Sequence, residues 1–296
     1  MDIPRALGAL QSDEAAFIQP DGYRMELIHQ PVEGTERPPL LFVHGSFHAA
    51  WCWQEHFLPY FAEAGYESYA VSLRGQGRSM RQEGMKACSL SEHVKDLSNI
   101  ISCLPRPPVL IGHSFGGLVA QRYITGPSNS DIAEELPSVA GLGLLCAAPA
   151  SGNDELVKRV AKRSVIMAAK LTWGMISKNF LTNTSACREL FFSKDLPAHD
   201  LERFQALLRE HASKVPVIDV SRMKSEVPLA APPQNHPAAF VLGADEDLIV
   251  DVQAVEETAA LYHVQPHILR NSAHDVMLDT RWREAADALK SWLDTL

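Results

Sequence analysis

The chain has 296 residues, 46% hydrophobic and 21% charged, with a formal net charge of −9. Those proportions exclude a disordered chain and a membrane-embedded one, and the acidic balance argues against a nucleic-acid partner, whose footprint is an excess of Lys and Arg on one face. No run of about 18 apolar residues occurs, so no membrane-spanning helix is expected.

The amino terminus, Met1 to Leu10, carries an acid at position 2 and no apolar stretch long enough for a signal-peptide core. Cys52, Cys88, Cys103, Cys146 and Cys187 are scattered, odd in number and without a C-x-x-C pair, which predicts free thiols and a cytoplasmic protein.

Along the chain, Tyr23 to Gln30 alternates as an early strand, and Leu40-Leu41-Phe42-Val43 is a buried strand ending at His44-Gly45. A helix is expected from Trp51 to Ala64, stopped by Gly65, and a strand over Ser68 to Leu73 closed by the turn Arg74 to Ser79. Ser89-Leu90-Ser91-Glu92 fits a capping box, with Val94, Leu97, Ile100 and Ile101 on one apolar helix face behind it. Val139 to Ala148, Ala238 to Leu242 and Pro266 to Leu269 read as later strands, and Arg281 to Leu293 as the last helix. This alternation predicts an α/β fold, a mostly parallel sheet with helices on both faces and right-handed crossovers. Residues 150–236 break the rhythm with helical patterns and no core strand. They read as an inserted helical cap, leaving 1–149 and 237–296 as the core.

The most informative stretch is Ile111-Gly112-His113-Ser114-Phe115-Gly116-Gly117. A buried-type strand runs into Gly-x-Ser-x-Gly and then into a helix, which nominates Ser114 as a nucleophile on a sharp strand-to-helix turn. Gly112 and Gly116 remove side chains that would collide there. A serine hydroxyl needs a base in reach and an acid to orient that base. His274, in Ser272-Ala273-His274-Asp275 after the last strand, is the base by position. Asp247, anchored by Leu248-Ile249-Val250, is preferred over Asp245 as the acid, and Asp275 is discounted because sequence neighbours rarely face one another. The backbone N–H groups of Phe115 and Ser46 are the expected oxyanion donors. No metal and no organic cofactor is needed.

These residues resemble the α/β-hydrolase superfamily, in its branch of capped single-chain serine hydrolases of lipase, lysophospholipase or carboxylesterase type. The resemblance rests on His44-Gly45-Ser46, Arg74 to Ser79, Gly112 to Gly117, Asp247 to Val250 and Ala273-His274-Asp275, in the order Ser, Asp, His. It implies an acyl-enzyme mechanism. Two positions depart from the pattern: Ser72 where an acid often ends the strand, and Gln76 where the turn usually has a histidine. The segment His44 to Trp53 is also similar to plant methylesterases and hydroxynitrile lyases, which keeps methylesterase, C–C hydrolase and lyase chemistry as alternatives, with a small-molecule receptor behind them.

The expected substrate is a small ester with an apolar group. Phe47, His48, Trp173 and Phe180 are candidates to line its pocket. From Lys158 to Arg188 the chain carries seven cations and no acid. Lys158, Arg159, Lys162 and Arg163 share one helix face, and they point to an anionic substrate head group or a peripheral contact with anionic lipid unless acids elsewhere compensate.

Overall fold

The computed structural model describes residues 16–79, 84–126, 136–152 and 154–296. Met1 to Leu10, read above for a targeting segment, lie outside the described residues. Eight strands form one sheet: β1 (Ala16–Ile18), β2 (Arg24–Gln30), β3 (Leu40–Val43), β4 (Ser68–Val71), β5 (Val109–His113), β6 (Gly141–Leu145), β7 (Ala239–Ala244) and β8 (His267–Leu269). Their order across the sheet is β1-β2-β4-β3-β5-β6-β7-β8. The pairs β1/β2 and β2/β4 are antiparallel, and every pair from β4 to β8 is parallel.

Strand β3 shows why the sheet is covered twice. Its side chains alternate, so Leu40 and Phe42 join one apolar cluster while Leu41 and Val43 join the other. The Phe42 face packs against Trp53, Phe57 and Phe61 and against Leu289 and Leu293 near the carboxyl terminus. The opposite face packs against Leu90, Val94 and Leu97, Leu118 and Val119, and Ala254 and Val255.

Helices fill the crossovers. Trp51 to Ala64, expected as one helix, is two: α1 (Trp51–Gln54) and α2 (Phe57–Glu63), with His56 out of helical geometry at φ −138°. Pro59 explains the break, because its ring collides with a helical carbonyl four residues back, at Glu55. Helix α3 (Leu90–Cys103) begins with the expected capping box, Glu92 N–H donating to Ser89 Oγ and Ser89 N–H to the Glu92 carboxylate. Helix α4 (Phe115–Thr125) follows β5 directly. Strand β1 escaped the sequence reading because it is three residues long and buries only Phe17.

Between β6 and β7, α5 (Asp154–Arg163), α6 (Val165–Ser177), a 3₁₀ turn (Asn179–Leu181), α7 (Thr184–Phe191), α8 (Ala198–Glu210) and α9 (Val220–Glu226) follow one another, with no strand among the described residues. Helices α10 (Val252–Leu261) and α11 (Trp282–Leu293) complete the chain. The helical segment is tied to α3: Glu226 accepts from Leu90 N–H, Ser91 N–H and Ser91 Oγ, and His93 Nε2–H donates to Val217 O at 2.6 Å. Among the described residues no helix is long and apolar enough to cross a membrane.

Replacing Ser89 with Ala should lower stability by about 1 kcal/mol through loss of the cap. Phe42→Ala, which empties space between β3 and three aromatic rings, should lower it by about 3–5 kcal/mol. Denaturant titration of both variants checks the ranking.

Candidate active site

Six parallel strands end on the same side, and the loops after four of them, β3, β5, β7 and β8, carry the site. Ser114 follows β5, at the centre of the sheet, with φ 51° and ψ −120°. That left-handed backbone is held by its neighbours: Ser114 N–H donates to Leu145 O at 3.1 Å, and Ser114 O accepts from Ala148 N–H and Gly117 N–H, each at 3.0 Å. A Cβ on Gly112 would lie 2.4 Å from Gly116 O, and one on Gly116 would lie 2.3 Å from Val43 O. Both positions exclude any side chain, which is the steric reading given to the motif. The Phe115 and Gly116 N–H groups open α4 at its Ser114 end.

After β7, Asp247 is buried, and its Oδ1 accepts from Ile249 N–H at 2.7 Å and Val250 N–H at 2.9 Å. Its Oδ2 lies 2.7 Å from His274 Nδ1, in the loop after β8. Asp245, the alternative acid, instead sits 3.5 Å from the exposed guanidinium of Arg270. Burial alone would push the His274 pKa down; the Asp247 carboxylate, through its charge and hydrogen bond and with help from Asp275, outweighs that and holds it above 6.5. The residue before the serine touches the same loop. His113 donates through Nε2 to His274 O at 2.9 Å, with the two rings 4.7 Å apart. Burial, reinforced by the neighbouring imidazole of His274, depresses His113 to about 3, so it is a neutral spacer.

After β3, the turn His44-Gly45-Ser46 runs beside Ser114, and a Cβ on Gly45 would meet the Ser114 Cβ at 2.8 Å. His44 Nε2 accepts from Leu73 N–H at 2.9 Å, which fixes the proton on Nδ1, where it is donated to Gly45 O at 2.7 Å. In a trans peptide the carbonyl and the next N–H point opposite ways. His44 therefore aims the Ser46 N–H by holding the Gly45 carbonyl, and burial keeps this imidazole neutral, at about 3.

The atoms of Cys146, Asp247 and His274, and of His113, His274 and Asp275, converge within 4.8 Å of one another. Imidazole and carboxylate are already bonded to each other there, an arrangement suited to moving a proton.

The alpha/beta hydrolase family model matches residues 40–288. The chain belongs to the alpha/beta hydrolase family. Among curated proteins this alpha/beta hydrolase is similar to protein phosphatase methylesterase 1 of Bos taurus, 31% identical over 127 residues, which cover 42% of this chain and 31% of that protein. It is 32% identical to Methylesterase 1 of Arabidopsis thaliana over 88 residues, 29% of this chain and 33% of the relative. The chain thus spans about a third of the length of the curated relatives it matches. Among solved structures, the esterase EaEST of Exiguobacterium antarcticum superposes with a TM-score of 0.69 at 17% identity, over 95% of this chain and 99% of that one. A carboxylesterase structure from Nitrososphaera gargenis gives 0.63 at 17% identity, over 95% and 98%. At such identities the structural likeness shows the fold.

Beside the Ser46 turn lies a cavity of about 330 Å³ lined by Ser46, Phe47, Gln76, Phe180 and, from α6, Met175 and Ile176. The last two also line a second, apolar cavity of about 250 Å³ between α5, α6 and Leu248-Ile249. Of the four residues proposed for the pocket wall, Phe47 and Phe180 face the first cavity. Trp173 is 66% exposed on the outer side of α6, and His48 is buried against Asp275. Asp275, discounted as the partner of His274, is thus engaged on another histidine.

Polar contacts from outside these loops complete the frame. Where the strand lacks its usual acid, Ser72 Oγ donates to Glu26 Oε2 at 2.5 Å and accepts from Ala50 N–H, so Glu26 of β2 supplies the carboxylate. Gln76 Nε2 donates to Val215 O, tying its turn to the helical segment. Asp279 accepts from Ser193 N–H and Oγ and from Ala273 N–H, clamping that segment to the His274 loop. Three of the seven cations of the basic run meet acids outside it: Lys158 pairs with Glu155, Arg159 with Asp251 and Glu257, and Lys170 with Glu189, while Lys178 and Arg188 donate to backbone carbonyls. Packing brings acids to Arg159 and Lys170; the Arg163 side chain lies outside the described residues.

An NMR titration of the imidazoles should place the His274 midpoint above 6.5 in the wild type. Asp247→Asn should move it downward, because burial then acts against the charged ring with only Asp275 opposing it. An unmoved midpoint would detach Asp247 from His274.

Proposed function

We propose that this chain is a serine esterase that cleaves a carboxylic ester with an apolar group. Ser114 Oγ attacks the ester carbonyl carbon, and His274 takes the hydroxyl proton as the tetrahedral intermediate forms. His274 returns that proton to the departing alkoxide, which leaves as the alcohol and an acyl group on Ser114. Water, deprotonated by the same imidazole, then attacks the acyl carbon, releases the carboxylic acid and returns the proton to Ser114. Asp247 orients His274 and stabilises its charged form, and the N–H groups of Ser46 and Phe115 receive the oxyanion. The observation that carries the reading is the 2.7 Å contact of Asp247 with His274 Nδ1, together with a serine held at φ 51° in a turn that tolerates only glycine two residues to either side.

Residues 150–236 act in this reading as a helical cap over the site. The cavity beside Ser46 accommodates the apolar group, since small-molecule pockets are mostly apolar with a few fixed polar atoms. A methyl ester is the second reading, favoured by the similarity to methylesterases of plants and mammals; the alcohol side then needs little room, and the cavity serves the acyl side. With Lys158, Arg159 and Lys170 already paired to acids, anionic lipid is not needed to account for the basic run, and the ester itself is the partner proposed.

Wild type and Ser114→Ala, incubated with p-nitrophenyl, methyl and glycerol esters of rising chain length, should differ in acid released by about four orders of magnitude or more. The same loss is expected for His274→Ala and a smaller one for Asp247→Ala. Turnover that persists in Ser114→Ala, or no acid from any ester, overturns the assignment and turns attention to lyase or receptor chemistry.

A further inference from the structure

The Ser46 turn and the His274 loop come from opposite ends of the chain, yet one side chain from each joins them. His48 and Asp275 are 1% and 0% exposed, with His48 Nε2 2.8 Å from Asp275 Oδ2. The other ring nitrogen, Nδ1, lies 3.0 Å from the Ser46 carbonyl oxygen. Both groups facing the ring are acceptors, so satisfying both takes two N–H donors on one imidazole, which is an imidazolium. A neutral ring would leave a lone pair against an oxygen in a buried place.

Other rings enclose the pair. Trp51, Phe191 and His113 stand around the ring at centroid distances of 5.8, 5.5 and 6.2 Å. Two imidazoles approach the Asp275 carboxylate, His48 at 2.8 Å and His113 at 4.0 Å. His113 is neutral and spends its Nε2–H on His274 O, while the positive character of His274 is matched by Asp247. Cys52, Cys146 and Cys187 are thiols whose ionisation is opposed by burial and by Asp275 itself, so they bring no charge. His48 is the counter-ion that remains.

Each end of the bridge is anchored. Phe47 has a left-handed φ of 69°, and the His48 to Ser46 hydrogen bond spans it, holding a conformation that a bulky side chain disfavours. Asp275 N–H donates to Phe191 O at 3.0 Å, and its carbonyl accepts from Leu278 N–H at 2.8 Å and Asp279 N–H at 2.9 Å.

We propose that His48 and Asp275 form a second, buried imidazolium–carboxylate pair that positions rather than reacts, locking the turn that carries the Ser46 N–H in register with the loop that carries His274. Its catalytic consequence rests on the serine-esterase reading; its protonation does not. Buried ion pairs contribute little net stability over apolar substitutes and find their best-attested use in fixing register.

Two measurements test the pair separately. In protein labelled with ¹⁵N-histidine, the His48 signals, assigned by their loss in His48→Gln, should report both nitrogens protonated at pH 7 in the wild type. One should be protonated in Asp275→Asn. Kinetically, His48→Gln and Asp275→Asn should each lower kcat about tenfold to hundredfold with KM within about twofold, because misplaced oxyanion donors weaken transition-state rather than ground-state binding. The paired apolar replacement His48→Leu/Asp275→Val should lose no more kcat than either single variant while unfolding at an equal or higher denaturant midpoint. A singly protonated His48, unchanged kcat in the single variants, or losses that multiply in the double variant would overturn the proposal. Absence of Ser114-dependent turnover in the wild type would sink the esterase reading alone, and the NMR result would still decide the pair.

Discussion

The backbone at Ser114 is the constraint around which the rest is arranged. A non-glycine residue at φ 51° and ψ −120° lies outside the regions open to L-residues, at a cost of about 1–3 kcal/mol. It persists because β6 holds the serine N–H through Leu145 O, while α4 and Ala148 hold its carbonyl. The close approach of β5, α4 and the end of β3 follows from the same turn, since Gly116 packs against Val43 O with no room for a methyl group. Strand order, helix placement and the glycines at 112 and 116 are thus consequences of presenting one hydroxyl at the edge of a parallel sheet.

Around that point the protein uses histidines as backbone fixtures more than as reagents. His44 aims the Gly45–Ser46 peptide, His93 ties Val217 to α3, and His113 spaces the Ser114 turn from the His274 loop. Burial lowers the pKa of all three, so they serve as neutral rings with a defined proton position. His274 departs from the pattern because a carboxylate stands on its Nδ1 and reverses the effect of burial. Depth of burial is nearly the same for these imidazoles; the group on the second nitrogen decides which one can accept a proton near neutral pH.

The helical segment between β6 and β7 is joined to the core through polar contacts at the site's own loops. Ser193 reaches Asp279 beside the His274 loop, Val215 receives Gln76, and Glu226 caps α3. Its outer side carries exposed apolar residues, Ile166 at 82% and Trp173 at 66%. Met175, half-buried, and Ile176, exposed, line both cavities. Movement of this segment would therefore be felt at the turn after β4 and at the His274 loop together.

Much of this was legible along the chain. The apolar run Leu40 to Val43, the capping box at Ser89, the Gly-x-Ser-x-Gly turn and the histidine after the last strand are local signals: each follows from the conformational preference of a few adjacent residues, so sequence alone determined the strand-and-helix order and nominated Ser114, Asp247 and His274. What it could not decide depends on groups far apart in the chain. The choice of Asp247 over Asp245 turned on which carboxylate faces His274, the substitute for the missing acid at Ser72 came from Glu26 across the sheet, Arg159 and Lys170 of the basic run found Asp251, Glu257 and Glu189, and His48 left the pocket wall for Asp275, 227 residues away. Local preference is written in neighbouring residues, whereas the partner of a buried charge is fixed only when tertiary packing removes water and leaves one group within reach.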